Sequence, residues 1–268
     1  MILGKNRLIK EIDVHTDAQN LSTKASQKIH SPLHQFEIKT LMPLHIGKYD
    51  VSFTNASVFM VLTVLFILLF FTGALRKKRI IPTKFQLMAE MLYGFVAQQL
   101  EETAGKEGKI YFPFVFSLFL FILGANLLGM VPYAYTVTSQ IIVTFSLAML
   151  VFVVITCVGI LRHGRDFITY FMPRGVPKVL FPLIVPIELI SYLSRPVSLS
   201  IRLFANMMAG HTMLKVFAIF TVVMGMWGVA PLVLNIVLTV FEIMVAILQA
   251  YVFTILTCIY LHDAIHLH

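Results

Sequence analysis

The stretch VLFPLIVPIELISYLSRPVSLSIRLFANMMAGHTMLKVFAIFTVV, residues 179–223, governs how this chain can fold. A bilayer's hydrocarbon core needs only about 20 helical residues to cross, so a single helix over this stretch should tilt strongly or break. The stretch is apolar, yet it carries Glu188, Arg195, Arg202, His211 and Lys215. A centrally placed Asp, Lys or Arg costs roughly 2.5–3.5 kcal/mol on insertion scales, so something must offset these charges. Their spacing is informative. Glu188, Ser191, Arg195, Ser198, Arg202 and Asn206 are separated by 3, 4, 3, 4 and 4 residues. At ~100° per residue they share an arc of about 80° on one helix face. A polar stripe along a membrane helix cannot face lipid; it faces water, another protein, or both.

Outward from this stretch, gaps between charges locate the other spans. No charged residue lies between Asp50 and Arg76, which leaves one span at 51–75. None lies between Lys109 and Arg162, a gap long enough for two spans, divided by Pro132 and the polar run 136–140 into 110–131 and 139–161. The last span, 229–262, is interrupted only by Glu242. Residues 84–102 differ: Gln86, Glu90, Gln98 and Glu101 recur near helical spacing, with Phe85, Met88, Leu92, Phe95 and Val96 largely on another side. This reads as an amphipathic helix in the membrane interface. The fold class is therefore all-α: a multi-pass integral membrane protein with about five spanning helices, an interfacial helix and two long tilted C-terminal helices.

Composition agrees. Hydrophobic residues make up 58% of the chain and charged residues 13%, against about 25% charged in soluble domains, which excludes a water-soluble globule. The net charge of +8 fits basic cytoplasmic loops better than nucleic-acid binding. Arg76, Lys77, Lys78 and Arg79 follow the first span, and Arg162, Arg165, Arg174 and Lys178 separate the third from the fourth. With an odd number of spans these loops share one side, placing the N-terminus outside and the C-terminus inside. Residues 1–30 read as a polar tail and 31–268 as the membrane domain. Cys157 and Cys258 form no CxxC pair and suggest neither a disulfide framework nor a metal site.

The fifth span matches the stripe of the fourth. Asn235, Glu242 and Gln249 are seven residues apart, so they drift only ~20° per step. Arg202 to His211 is a rise of about 13 Å and Gln249 back to Glu242 about 10 Å. Antiparallel docking then puts Gln249 at the level of Arg202 and Glu242 at the level of His211. His211 lies about 180° around the helix from Arg202, facing a second polar environment. Histidine changes charge near neutral pH, and a carboxylate neighbour tunes it, so the pair suits a proton relay. Arg202 cannot relay protons because guanidinium stays protonated. It can attract a passing carboxylate and block a continuous proton wire. Arg195 is expected to snorkel or to pair with Glu188.

Ser194-Arg195-Pro196-Val197-Ser198-Leu199-Ser200-Ile201-Arg202-Leu203-Phe204-Ala205-Asn206-Met207-Met208-Ala209-Gly210-His211 closely resembles the signature of subunit a, the stator proton-channel subunit of F-type ATP synthases. So do Asn126-Leu127-Leu128-Gly129-Met130-Val131-Pro132 and Phe241-Glu242 followed by Leu248-Gln249-Ala250-Tyr251. The resemblance covers about residues 31–262. It implies two offset half-channels facing a rotating ring of subunit c hairpins, each with a membrane carboxylate, and a peripheral-stalk subunit b among the other partners. It implies that Arg202 is the essential arginine between the half-channels. Glu242 and His211 match a pair whose residue types occur in either order. Asn206 and Gln249 match polar residues near the arginine, and Ser198 and Glu188 match positions of the inner path. The implied membrane is energy-transducing, a bacterial inner membrane or alternatively a mitochondrial one. No Walker loop, HExxH or serine-nucleophile motif is present, so the resemblance implies a subunit that is not itself an enzyme and needs no cofactor.

Two rivals stand beside this reading. A secondary ion or solute transporter would need a substrate site at an internal repeat, and no repeat is visible. An intramembrane hydrolase would need a nucleophile beside a base; Ser198 and His211 lie roughly 20 Å apart along one helix.

Overall fold

A computed structural model describes residues 40–42, 45–46, 49–50, 52–76, 81–131, 134–164, 167 and 180–266. The tail read at 1–30 and the basic residues Lys77, Lys78, Arg79, Arg165, Arg174 and Lys178 lie outside them. Two short antiparallel ladders precede the first helix, β1 (Thr40–Met42) with β4 (Phe53–Thr54) and β2 (His45–Ile46) with β3 (Tyr49–Asp50). The elements that follow are helical: α1 (Asn55–Leu75), α2 (Lys84–Ala104), a 3-10 segment (Lys106–Tyr111), α3 (Phe112–Gly129), a 3-10 turn (Val137–Ser139), α4 (Ile141–His163), α5 (Phe181–Val223), a 3-10 turn (Gly225–Gly228) and α6 (Val229–Ile265). Among the described residues five segments are long and apolar enough to cross a membrane: Asn55–Leu75, Lys106–Gly129, Ile141–His163, Pro182–Val223 and Val229–Ile265. The fold class is all-α, that of a multi-pass integral membrane protein.

The predicted fourth span does not break. Pro186 and Pro196 sit inside α5 without ending it, and Pro182 occupies its first turn. A proline removes one backbone donor, which neighbouring helices and local adjustments can compensate inside a membrane. At 1.5 Å per residue α5 is about 65 Å long, roughly twice the hydrocarbon thickness, so it must cross obliquely.

The core gathers around α6. Ala246, Ala250, Phe253, Cys258, Leu261, Ala264 and Ile265 pack with Val96 and Leu100 of α2, Val115, Phe119 and Ile122 of α3, Val151 and Ile155 of α4, and Leu199, Leu203 and Met207 of α5. Ala246 and Ala250 let neighbouring helices approach closely. Exposed Leu68, Leu69, Ile142, Ile187, Ile190, Val237 and Val240 cover the outside, as expected where the solvent is lipid.

α2 forms where amphipathic spacing predicts it, started by Thr83, whose hydroxyl accepts from the Gln86 amide. Its faces differ from the expected partition. Ala89, Val96, Leu100 and Ala104 supply the buried apolar strip, joined by Gln86, which donates to Glu90 Oε1 at 2.8 Å. Phe85 and Met88 point outward, and Phe95 lies at the edge with its ring 6.0 Å from that of Phe119 and 5.7 Å from that of Tyr251. The buried strip carries aliphatic side chains and one amide, and no aromatic ring. At the end remote from the β-ladders Arg162 pairs with Glu107, Lys109 pairs with Glu101 at 3.0 Å, and His163 Nε2 lies 3.0 Å from the Ile265 carbonyl. His163 thus ties α4 to the end of α6.

Candidate functional site

The buried seam of α5 runs through Tyr192, Pro196, Leu199, Leu203, Met207 and His211. These positions recur every three to four residues, and the apolar ones pack toward α4 and α6. The polar stripe lies about 105° around the helix from that seam. Half of it looks away from the chain's own core and half lies at its edge: Ser191, Ser198 and Arg202 are exposed, and Glu188, Arg195 and Asn206 are half-buried. Arg202 makes no hydrogen bond or ion pair with any described residue. Among the described residues, no acid lies within ion-pair distance of its guanidinium.

His211 and Glu242 come together as the antiparallel register predicts. Nδ1 of the ring lies 2.8 Å from Oε1 of the carboxyl, with the side chains 7% and 5% exposed. The separation suits an ion pair when the ring is protonated, but it is not an aligned hydrogen bond, and neither oxygen of Glu242 has a hydrogen-bond partner among the described residues. Burying a carboxyl in that condition is costly, so the pair marks a place where polarity is kept at the expense of stability. Gly210 makes the approach possible, since a Cβ there would lie 2.7 Å from Glu242 Oε1 and 2.9 Å from its carboxyl carbon.

The other side of the ring meets the segment between α3 and α4. Thr136 Oγ1 lies 2.6 Å from His211 Nε2 and 3.3 Å from the Gly129 carbonyl. Thr138 donates to Asn126 Oδ1 at 2.8 Å, and Asn126 Nδ2 donates to the Ala246 carbonyl at 3.0 Å. This chain of buried polar groups pins the segment to α6, between Glu242 and Gln249. Tyr135 is buried beside it, and burial raises its hydroxyl above the ordinary phenol value while a hydrogen bond with Gln140 opposes the shift.

The remaining predicted residues are distributed. Gln249 is buried and turned into the bundle, while Arg202, which the register puts at a similar depth, is turned outward; no hydrogen bond joins the two. Arg195 forms its ion pair elsewhere than with Glu188. It reaches Asp263 at 3.3 Å and lies over the rings of Tyr260 at 4.8 Å and Tyr192 at 5.4 Å. The end of α6 offers it an acid and an aromatic face, whereas Glu188 is seven residues back along the same helix. Among the described residues no three His, Cys, Asp or Glu side chains are placed to hold a metal ion.

Residues 57–262 match the ATP synthase A chain family. The chain belongs to that family. It is 55% identical over 240 residues to ATP synthase subunit a of Pelagibacter ubique, covering 89% of this chain and 98% of the relative. It is 54% identical over 244 residues to the subunit a of Agrobacterium fabrum, covering 88% and 98%. It is 53% identical over 242 residues to that of Parvibaculum lavamentivorans, covering 88% and 93%.

Thr136, Thr138, Gly210 and Asp263 join the site although sequence reasoning does not single them out. In the sequence the run 136–140 serves only to divide two spans. A signal is present all the same: consecutive hydroxyl and amide side chains, without Lys or Arg, inside a long uncharged gap. Polar groups in such a place must be hydrogen-bonded inside the protein or exposed at its edge.

Proposed function

We propose that this chain is the proton-conducting stator subunit of a rotary ATP synthase, facing a ring of subunit c hairpins along the stripe of α5. The observation that carries the proposal is the outward-facing Arg202, halfway along an apolar helix and without an acidic partner among the described residues. Exposed to lipid it would cost several kcal/mol. A carboxylate passing on a neighbouring subunit offsets that cost.

The roles follow from the chemistry of each group. A proton from the outer side reaches the buried Glu242–His211 pair, with Gln249 and Asn206 completing the polar way toward the ring. It neutralises a ring carboxylate, which can then turn into lipid. A carboxylate returning from the other side loses its proton toward Ser198 and Glu188 before it meets Arg202, because the guanidinium favours the ionised form. Arg202 accepts no proton, so the two paths never join. ATP chemistry belongs to other subunits, with the peripheral-stalk subunit b holding this one still. The bacterial relatives favour a bacterial inner membrane.

Arg202→Ala tests the reading. In an assembled complex of wild-type composition it is expected to abolish coupled ATP synthesis and to admit proton leak through the membrane sector. Normal ATP-driven pumping by that variant would overturn the proposal.

A further inference from the structure

A buried histidine that gains and loses a proton needs partners in both states. The imidazolium donates from both ring nitrogens; the neutral ring donates from one and accepts at the other. A partner that can only donate, or only accept, favours one state and opposes the other. On the Nδ1 side of His211 stands Glu242. On the Nε2 side stands Thr136 Oγ1, 2.6 Å away, in a residue with no exposed surface. A hydroxyl carries one hydrogen on a free rotor together with lone pairs, so it can donate or accept. Here the hydrogen has a second destination, the Gly129 carbonyl at 3.3 Å.

We propose that the Thr136 hydroxyl is a two-position partner that keeps His211 hydrogen-bonded in both its neutral and its cationic form, which makes Thr136 a positioning residue for proton entry. The inference rests on the reading of His211 as a proton carrier. With Nε2 bare, the hydroxyl donates to it. When Nε2 gains a proton originating in outer-side water, one N–H bond forms, the O–H bond of Thr136 stays intact and turns to Gly129, and Oγ1 accepts from the new N–H. Release of the proton reverses both movements.

The surroundings are built for this. A Cβ on Gly129 would lie 2.7 Å from Thr136 Cγ2 and 3.0 Å from Oγ1, so glycine is what lets the threonine stand over that carbonyl. The Thr138–Asn126–Ala246 chain holds the segment against α6. The titratable groups around His211 are Glu242 on α6, Lys215 one turn on along α5, and Tyr135 beside Thr136; α3 carries none, and the charged residues of α4 lie at its far end, Arg162 and His163.

The test compares Thr136→Val, Thr136→Ser and wild type in the reconstituted complex, measuring ATP-driven proton pumping against the pH of the outer-side compartment. Valine keeps the shape and removes the partner of both forms, and the cation loses more because its charge-assisted bond is about twice as strong as the neutral one. Its profile is expected to move to lower pH by about one unit, a tenfold change in the ratio of protonated to neutral ring at fixed pH. Serine keeps the hydroxyl and is expected to restore the wild-type profile. The His211 titration, followed by 15N NMR of the full chain in lipid nanodiscs and identified by its loss in His211→Gln, should shift in the same direction in Thr136→Val and return in Thr136→Ser. An unshifted titration in Thr136→Val, or a pH-independent loss shared by both variants, overturns the role of the hydroxyl. Wild-type pumping by His211→Gln overturns the carrier reading and this proposal with it.

Discussion

Replacing Gly210 by alanine should separate proton conduction from stability. The new Cβ would stand 2.7 Å from Glu242 Oε1, while an ordinary contact is about 3.4 Å. The backbone of α5 need not move, because the obstructed atom is the end of a flexible side chain. The carboxyl must retreat by about 0.7 Å instead. If it retreats from the ring, the separation from His211 Nδ1 grows from 2.8 Å to about 3.5 Å. With an effective dielectric constant near 20, that change weakens the attraction between the charged forms by about 1 kcal/mol. The corresponding loss is roughly fivefold in the population of the paired state. Alanine is at the same time a better helix former than glycine by about 1 kcal/mol, so the helix itself should not suffer. The expected outcome is a complex of normal composition, with an unfolding temperature unchanged or slightly raised, that pumps protons several-fold more slowly under ATP hydrolysis. Pumping at the wild-type rate would contradict this account. A fall in unfolding temperature in step with the activity would show that the helix contact, not the carboxyl position, had been disturbed.

Two further substitutions probe the supports of the site. Asn126→Leu removes the bonds to Thr138 and to the Ala246 carbonyl and leaves a buried hydroxyl unpaired; it should destabilise the chain by about 2–3 kcal/mol in thermal or denaturant unfolding, and adding Thr138→Val should recover part of the loss. Arg195 and Asp263 are 21% and 25% exposed, so a double-mutant cycle of Arg195→Met and Asp263→Asn on unfolding free energy should give a coupling of about 1 kcal/mol; a coupling indistinguishable from zero would remove the ion pair as the tie between α5 and α6.

The helical layout follows from the order of residues alone. Hydrocarbon admits only helices or closed barrels, so stretches without charge had to become spans, and their limits lie at Asp50, Arg76, Lys109 and Arg162. The grouping of residues on a face follows too, because the 3.6-residue period puts Glu188 to Asn206 on one side of α5 and Glu242 with Gln249 on one side of α6. The meeting of His211 with Glu242 is legible for the same reason: two antiparallel helices joined by a short turn have few registers. Other contacts are settled only by packing. Whether Arg195 meets Glu188 or Asp263 depends on how the end of α6 lies across α5, which no periodicity encodes. The approach of Thr136 to His211 depends on the path of the segment between α3 and α4, and on Gly129 and Gly210 leaving space for a hydroxyl and a carboxyl. Contacts between elements are set by rotation and crossing to within about an ångström, and those quantities arise only when the helices close on one another.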